Sequence, residues 1–318
     1  MNTITLQEID TKEAQRNPPY NDWLSLRSYP AFGWYHVQLG EFQKAKTFFQ
    51  SARDRWFKNG DPYYIAEWKL EFAIPHYYAG EFKEARELFR DAAGLNAGRF
   101  VVFEAKLSRA LTMLARTEEK LGNFDAARQA HEQSVATVQP IRPGSGMYRI
   151  ERADALCQYG SFLLRQNEPA EARLAFQEAI QLREATATAT HPDYAVALLG
   201  LADVAAYQDE LTTARLHAQK AIEVLETALV PTHPRFAPAL VTGISIYYLA
   251  GEDDKAEAML PRLESILGSA LGPEWDPFAA AIKHYIGILE SEGQGDAAAR
   301  LKELAERELR VRRETAGI

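Results

Sequence analysis

Two histidines in this chain are placed for proton chemistry. His36 and His76 stand at equivalent points of a repeated pattern, with Tyr35, Glu71 and Tyr77 close by in sequence. Stacked helical units would bring them within about 10 Å of each other. Imidazole titrates near neutrality, so a general acid–base site is one reading of the pair. Two packing histidines sharing a common position is the competing one. A second group is basic: Arg109, Arg116, Lys120 and Arg165, preceded by the acidic pair Glu67 and Glu71. Guanidinium presents a planar fork of donors that matches a carboxylate, so this group suits a carboxylate or an acidic peptide. Alternatively, the charges pair across neighbouring helices and keep a surface soluble.

Other chemistries lack their motifs. No HExxH, no Cys-x-x-Cys and no metal-spaced cluster occurs, so no metal and no cofactor is expected. Pro143-Gly144-Ser145-Gly146 lacks the lysine of a phosphate loop, and Gly144-Ser145-Gly146 is too short for a nucleophile elbow. Cys157 is the single cysteine, which excludes an internal disulfide. With Arg165 two helical turns away, a buried and inert thiol is expected there. The net charge of −8 argues against nucleic acid and against docking on an anionic membrane. No apolar run reaches the roughly 18 residues of a membrane span. The opening MNTITLQEIDTKEAQRN has no basic segment leading into an apolar run, so no secretory leader is expected and cytoplasmic residence follows.

The elements that must position these residues are marked by a recurring pair, a tight-turn residue and an alanine five positions later. The pairs are Gly40/Ala45, Gly80/Ala85, Gly122/Ala127, Asn167/Ala172, Asp209/Ala214, Gly251/Ala256 and Gly293/Ala298. Their steps are 40, 42, 45, 42, 42 and 42 residues, the period of a solenoid of helical hairpins. Small residues recur seven before the turn (Gly33, Ala73, Ala115, Gly160, Ala202), and bulky ones four after the alanine (Phe49, Phe89, Phe176, Leu260). A small side chain lets two antiparallel helices approach, and the bulky one fills the gap. Ile244 and Ile286 replace the small residue in the last two units, which predicts looser or shifted packing. Asp61-Pro62, His191-Pro192, His233-Pro234 and Asp276-Pro277 read as helix starts, the first residue capping and the proline at the first helical position. Pro30 and Pro75 fall inside expected helices and predict a kink or break.

This pattern resembles the tetratricopeptide repeat, in which W/L-x-x-L-G/A/S-x-x-Y leads to a turn glycine and then A-x-x-x-F-x-x-A. The 42-residue period and His191-Pro192-Asp193-Tyr194-Ala195-Val196-Ala197-Leu198 resemble the longer variety of kinesin light chains and many bacterial proteins. The resemblance implies an all-α, right-handed superhelical solenoid of about seven helix-turn-helix repeats over residues 22–318. An N-terminal extension covers 1–21, a long inter-repeat loop lies near 139–147, and a charged C-terminal helix acts as a cap.

The family's groove-facing positions, carried onto this sequence, give Arg27, Trp34, Gln38, Glu67, Glu71, Tyr77, Tyr78, Arg109, Met113, Arg116, Glu119, Lys120, Asp154, Gln158 and Arg165. Beyond them lie Asp203, Tyr207, Thr242, Ser245, Tyr248, Lys283 and His284. The implied function is a noncatalytic scaffold that binds a protein or peptide, acidic ones among them, on the concave face formed by the first helix of each hairpin. Groove asparagines typical of chaperone-binding members are missing. Leu198-Leu199-Gly200-Leu201-Ala202 lacks the asparagines of the kinesin segment. Two alternatives stay open. One is a peptide- or small-ligand-sensing regulator acting in trans, as in bacterial peptide-pheromone receptors, which usually carry an added N-terminal domain; here about 20 residues precede the first repeat. The other is an unorthodox enzyme using His36 and His76, to be told apart by whether those rings face a cavity or a packed interface. Self-association through stacked ends is a further expectation.

Overall fold

The computed structural model describes residues 31–57, 60–95, 101–138, 146–186, 189–267 and 275–316. Arg27, Pro30, the 1–21 extension and the linker up to 145 lie outside them. The described residues form fourteen helices and no strand. They are α1 (31–38), α2 (Phe42–Phe57), α3 (Pro62–Tyr78), α4 (Phe82–Leu95), α5 (Val101–Lys120), α6 (Phe124–Thr137), α7 (Gly146–Arg165), α8 (Pro169–Glu184), α9 (Pro192–Tyr207), α10 (Leu211–Ala228), α11 (Phe236–Leu249), α12 (Asp253–Ile266), α13 (Trp275–Ser291) and α14 (Gly295–Ala316). Consecutive pairs make seven hairpins stacked into a solenoid.

Every hairpin turns at its expected residue. All seven turn residues have positive φ, from 60° at Asp209 to 82° at Gly80, a region glycine enters freely and Asn or Asp tolerates. Beyond each, the next amide bonds the carbonyl five residues back, as in Glu41 N–H to His36 O (2.9 Å) and Glu210 N–H to Ala205 O (2.8 Å). This is the Schellman arrangement, which satisfies carbonyls a helix end leaves unpaired. The alanines five on are all essentially inaccessible, including Ala45, Ala172 and Ala256 at 0%.

The small-against-bulky pairing is direct. A Cβ on Gly33 would meet the Phe49 ring at 2.6 Å, and Phe176 is wedged between Gly160 and Gly200, where added Cβ atoms would lie 3.0 and 2.2 Å from it. In hairpin six the small position shifts by one residue: Ile244 is buried, and Gly243 faces Met259. Hairpin three carries His131 where its neighbours carry Phe49, Phe89 and Phe176. It is fully buried, with its ring against Tyr159 and Phe162.

Caps follow the sequence in part. The Asp61 carboxylate accepts from Tyr63 N–H at 2.9 Å, and His191 Nδ1 accepts from Asp193 N–H at 3.3 Å. Asp276 does not cap; α13 begins one residue earlier, at Trp275, which frees its carboxylate. Pro75 does not break its helix. It sits in the last turn of α3, which runs on to Tyr78, so the missing N–H costs one bond near an end.

Adjacent hairpins are also tied by a charge ladder. The residue after the marker alanine reaches the carboxylate after the next turn: Lys46 to Glu81 (2.6 Å), Arg128 to Glu168, Arg173 to Glu210 (3.0 Å) and Arg215 to Glu252 (2.8 Å). The ladder skips the step from hairpin two to three, where Asn123 replaces the glutamate and Arg86 bonds Glu87 instead.

Candidate functional site

The first helices of hairpins one to four, α1, α3, α5 and α7, carry the aromatic and charged wall. Trp34 on α1 donates its indole N–H to Glu71 on α3. Arg109 on α5 lies over the Trp34 ring at 5.2 Å and 3.6 Å from Glu71 Oε1. Burial pushes the Glu71 carboxyl above the usual carboxylate range, against the pull of Arg109 and the indole. One turn away, Lys106 pairs with Glu67 at 2.5 Å and covers the Tyr63 ring. On α7, Arg165 grips Glu119 of α5 with two bonds, 2.6 and 2.8 Å.

The longest-range contact lies between these. Asp276, in the first turn of α13, reaches the wall of hairpins two and three. Its Oδ2 accepts from Tyr77 at 2.7 Å and Arg116 at 2.8 Å, and its Oδ1 from Lys120 at 3.3 Å. The Arg116 guanidinium lies 5.0 Å over the Tyr77 ring. Burial alone would raise the Asp276 carboxyl; Arg116 and Lys120 outweigh it and hold the group below its ordinary range. Helices α3, α5 and α13 therefore face a common space inside the solenoid.

The expected site residues divide. Trp34, Glu71 and Arg109 meet in one group and Tyr77, Arg116 and Lys120 in another at Asp276, while Glu67 pairs with Lys106 and Arg165 with Glu119. Gln158 is half-buried on α7. Met113 is buried in the hairpin core, with its sulfur accepting from Arg116 at 3.5 Å. Tyr78 is buried, stacks its ring on Phe42 of hairpin one and bonds the Arg116 side chain. The positions carried onto hairpins five to seven differ among themselves: Tyr207 is exposed and stacks on His284, and Lys283 is exposed, whereas others turn inward. Thr242 and Ser245 are buried, and Tyr248 bonds Glu257 of α12 at 2.6 Å. Asp203 accepts from Thr242 (3.3 Å) and Tyr285 (3.0 Å), closing three first helices against each other. Helix α11 is apolar nearly all round, and such a helix belongs inside.

The histidines sit in packed interfaces. His36 is 4% exposed, stacked on Phe48, with Nδ1 2.6 Å from Glu41. His76 repeats the arrangement, with Glu81 at 2.5 Å and Phe72 edge-on, and burial lowers its pKa against the pull of Glu81. Cys157 is buried, and burial pushes its thiol well above the ordinary range. Among the described residues no group of His, Cys, Asp or Glu is placed to hold a metal, and no helix is long and apolar enough to cross a membrane.

Family models of the tetratricopeptide repeat match residues 107–139 and 151–227, over hairpins three to five. The chain is a tetratricopeptide-repeat protein. No curated protein matches it in sequence. Among solved structures, a Rap protein complexed with competence and sporulation factor superposes with a TM-score of 0.69 at 14% identity, covering 98% of this chain and 80% of that one. Aspartyl phosphate phosphatase F from Bacillus subtilis gives 0.68 at 15% identity, covering 95% and 74%. The apo form of RapI gives 0.67 at 13% identity, covering 91% and 97%. At these identities the likeness is one of fold. The repeat register explains why the wall residues were legible at all: they lie at fixed offsets from each turn. Asp276 was missed as a wall partner. Asp276 precedes a proline and carries the local signature of a cap, and no local pattern reports a contact 160 residues away.

Proposed function

We propose that this tetratricopeptide-repeat protein is a noncatalytic scaffold whose inner wall over hairpins one to four binds a protein or peptide segment with acidic groups, met in the cytoplasm. One observation carries the reading. Arg109, Arg165 and Lys120 remain 46, 39 and 42% exposed on the wall, and each is matched only by carboxylates of the chain itself. Half-exposed charges of this kind contribute little to stability, yet beside Trp34 they give anchors suited to a carboxylate-bearing segment. The Rap structure in complex with competence and sporulation factor shows that a solenoid of this shape can hold such a factor.

Random-peptide display on wild type and on the Arg109→Ala/Arg165→Ala variant tests the reading. Wild type should enrich sequences rich in Asp and Glu, and the variant should lose them. Enrichment of basic or purely apolar sequences, or the same set on both proteins, would refute it.

A further inference from the structure

The Asp276 contact has an asymmetry that the rest of the wall lacks. Everything that receives the carboxylate comes from hairpins two and three: the Tyr77 hydroxyl from α3, and the Arg116 guanidinium and Lys120 ammonium from α5. The receiving half is built without help from hairpin seven. Tyr77 is 2% exposed and packs its ring against Arg116, whose side chain is 17% exposed and also bonds the Met113 sulfur and the Tyr78 side chain. The donating half is a single residue, 160 and 199 positions away in the chain. Asp276 does no work in its own helix as a cap. A guanidinium this enclosed requires a counter-charge, and the counter-charge here is supplied from across the groove.

We propose that the Tyr77–Arg116–Lys120 cluster is a carboxylate-binding seat, occupied in this structure by the chain's own Asp276, and that an acidic segment of a partner binds there by displacing it. This rests on the reading of the inner wall as a peptide-binding surface and names its central subsite. The exchange is balanced in charge: one carboxylate leaves the three donors and another arrives. Displacement also severs a bridge between hairpins two, three and seven, so occupancy by a partner and opening of the solenoid become one equilibrium. The internal carboxylate competes at a high effective concentration. Removing it should tighten binding by the inverse of the fraction of molecules with an empty seat.

The test uses the full chain and a fluorescein-labelled hexaglutamate peptide, followed by anisotropy. Asp276→Asn should bind the probe on the order of tenfold more tightly than wild type, and adding Arg116→Gln should abolish the gain. Glu303→Gln, which removes one exposed carboxylate on α14, controls for net charge and should match wild type. Small-angle scattering of Asp276→Asn, which reads shape even where binding is weak, should give a larger radius of gyration than wild type. Circular dichroism confirms folding of each variant, and Tyr77→Phe, which keeps the ring but takes a donor from either carboxylate, should show no gain over wild type. Equal binding by wild type and Asp276→Asn, with both weakened by Arg109→Ala, would overturn the occupied seat and leave the acidic-peptide wall standing. A gain in Glu303→Gln equal to that in Asp276→Asn would overturn the seat as a mere charge effect. No binding by any variant would overturn both.

Discussion

The two ends of the solenoid solve the same packing problem with different chemistry. Hairpins five to seven share one continuous core, from Tyr194 to Leu304, in which the first helices touch each other directly and even their polar groups, Asp203, Thr242 and Tyr285, bond inward. Hairpins one to four are held by smaller, separate cores and present Trp34, Glu71, Arg109 and Arg165 on the inner wall as ion pairs that solvent still reaches. An all-apolar inner helix closes a superhelix because it must be covered on every side. A charged one keeps it open because the cost of desolvating unpaired charge exceeds what contact would return. On the proposed function, the closed end supplies rigidity and the open end recognition.

The seam between the two ends should be the most sensitive place in the molecule. Arg183 of α8 is 2% exposed and bonds Asp154 of α7 and Asp193 of α9, so it joins the last open hairpin to the first closed one. Burial and the neighbouring carboxylates raise Asp154 to about 7 even with Arg183 present. Arg183→Ala would leave Asp154 without its cation, while Asp193 keeps Arg235 at 2.7 Å, and should cost about 3 kcal/mol in urea denaturation. A loss below about 1 kcal/mol would mean that the two ends are not coupled through this residue.

The next effect is smaller and opposite in sign, and it belongs to the open end. His131 fills a position where the neighbouring hairpins use phenylalanine. Both its ring nitrogens are buried without a hydrogen bond, and burial lowers its pKa to about 3. An unfolded histidine titrates near 6.5, so between these values the unfolded chain binds the extra proton and stability falls as pH drops. At pH 5 this corresponds to roughly 2 kcal/mol. His131→Phe should remove that slope and be more stable than wild type at pH 5, with a smaller difference at pH 8, as thermal melts across pH would show. Parallel pH profiles for the two proteins would place the acid sensitivity elsewhere.

How much of this could be read from sequence depends on whether a feature is local. The turn residues, the marker alanines and the Gly33–Phe49 pairing follow from spacing alone, because each is fixed by one hairpin's own geometry. The ladder of Lys46, Arg128, Arg173 and Arg215 was equally periodic, but it joins different hairpins and shows only once the stacking offset is known. On α3 and α5 the inner-wall positions pair with one another and with neighbouring helices, while on α11 Thr242 and Ser245 are buried by neighbours that no single repeat specifies. Asp276 lay beyond reach, since its partners are set by the closure of the whole superhelix.

The smallest predicted change in stability bears most directly on the contrast between the ends. Arg109 is half exposed, pairs with Glu71 at 3.6 Å and covers Trp34. If the open wall serves recognition, its charges should contribute little to folding. Arg109→Ala should then cost no more than about 1 kcal/mol, the sum of a solvent-screened ion pair and an exposed cation–π contact. The local arrangement supports so small a cost. The Glu71 carboxyl is already held above its ordinary range by burial and keeps the Trp34 indole as a donor, so it can take up a proton when its cation is removed. Loss of Arg109 should therefore raise the Glu71 pKa further, and the variant's stability should increase relative to wild type as pH is lowered toward the carboxylate range. A loss above about 2 kcal/mol at neutral pH would make Arg109 a structural strut and would take the distinction between a closed, stabilising end and an open, recognising one away from this wall.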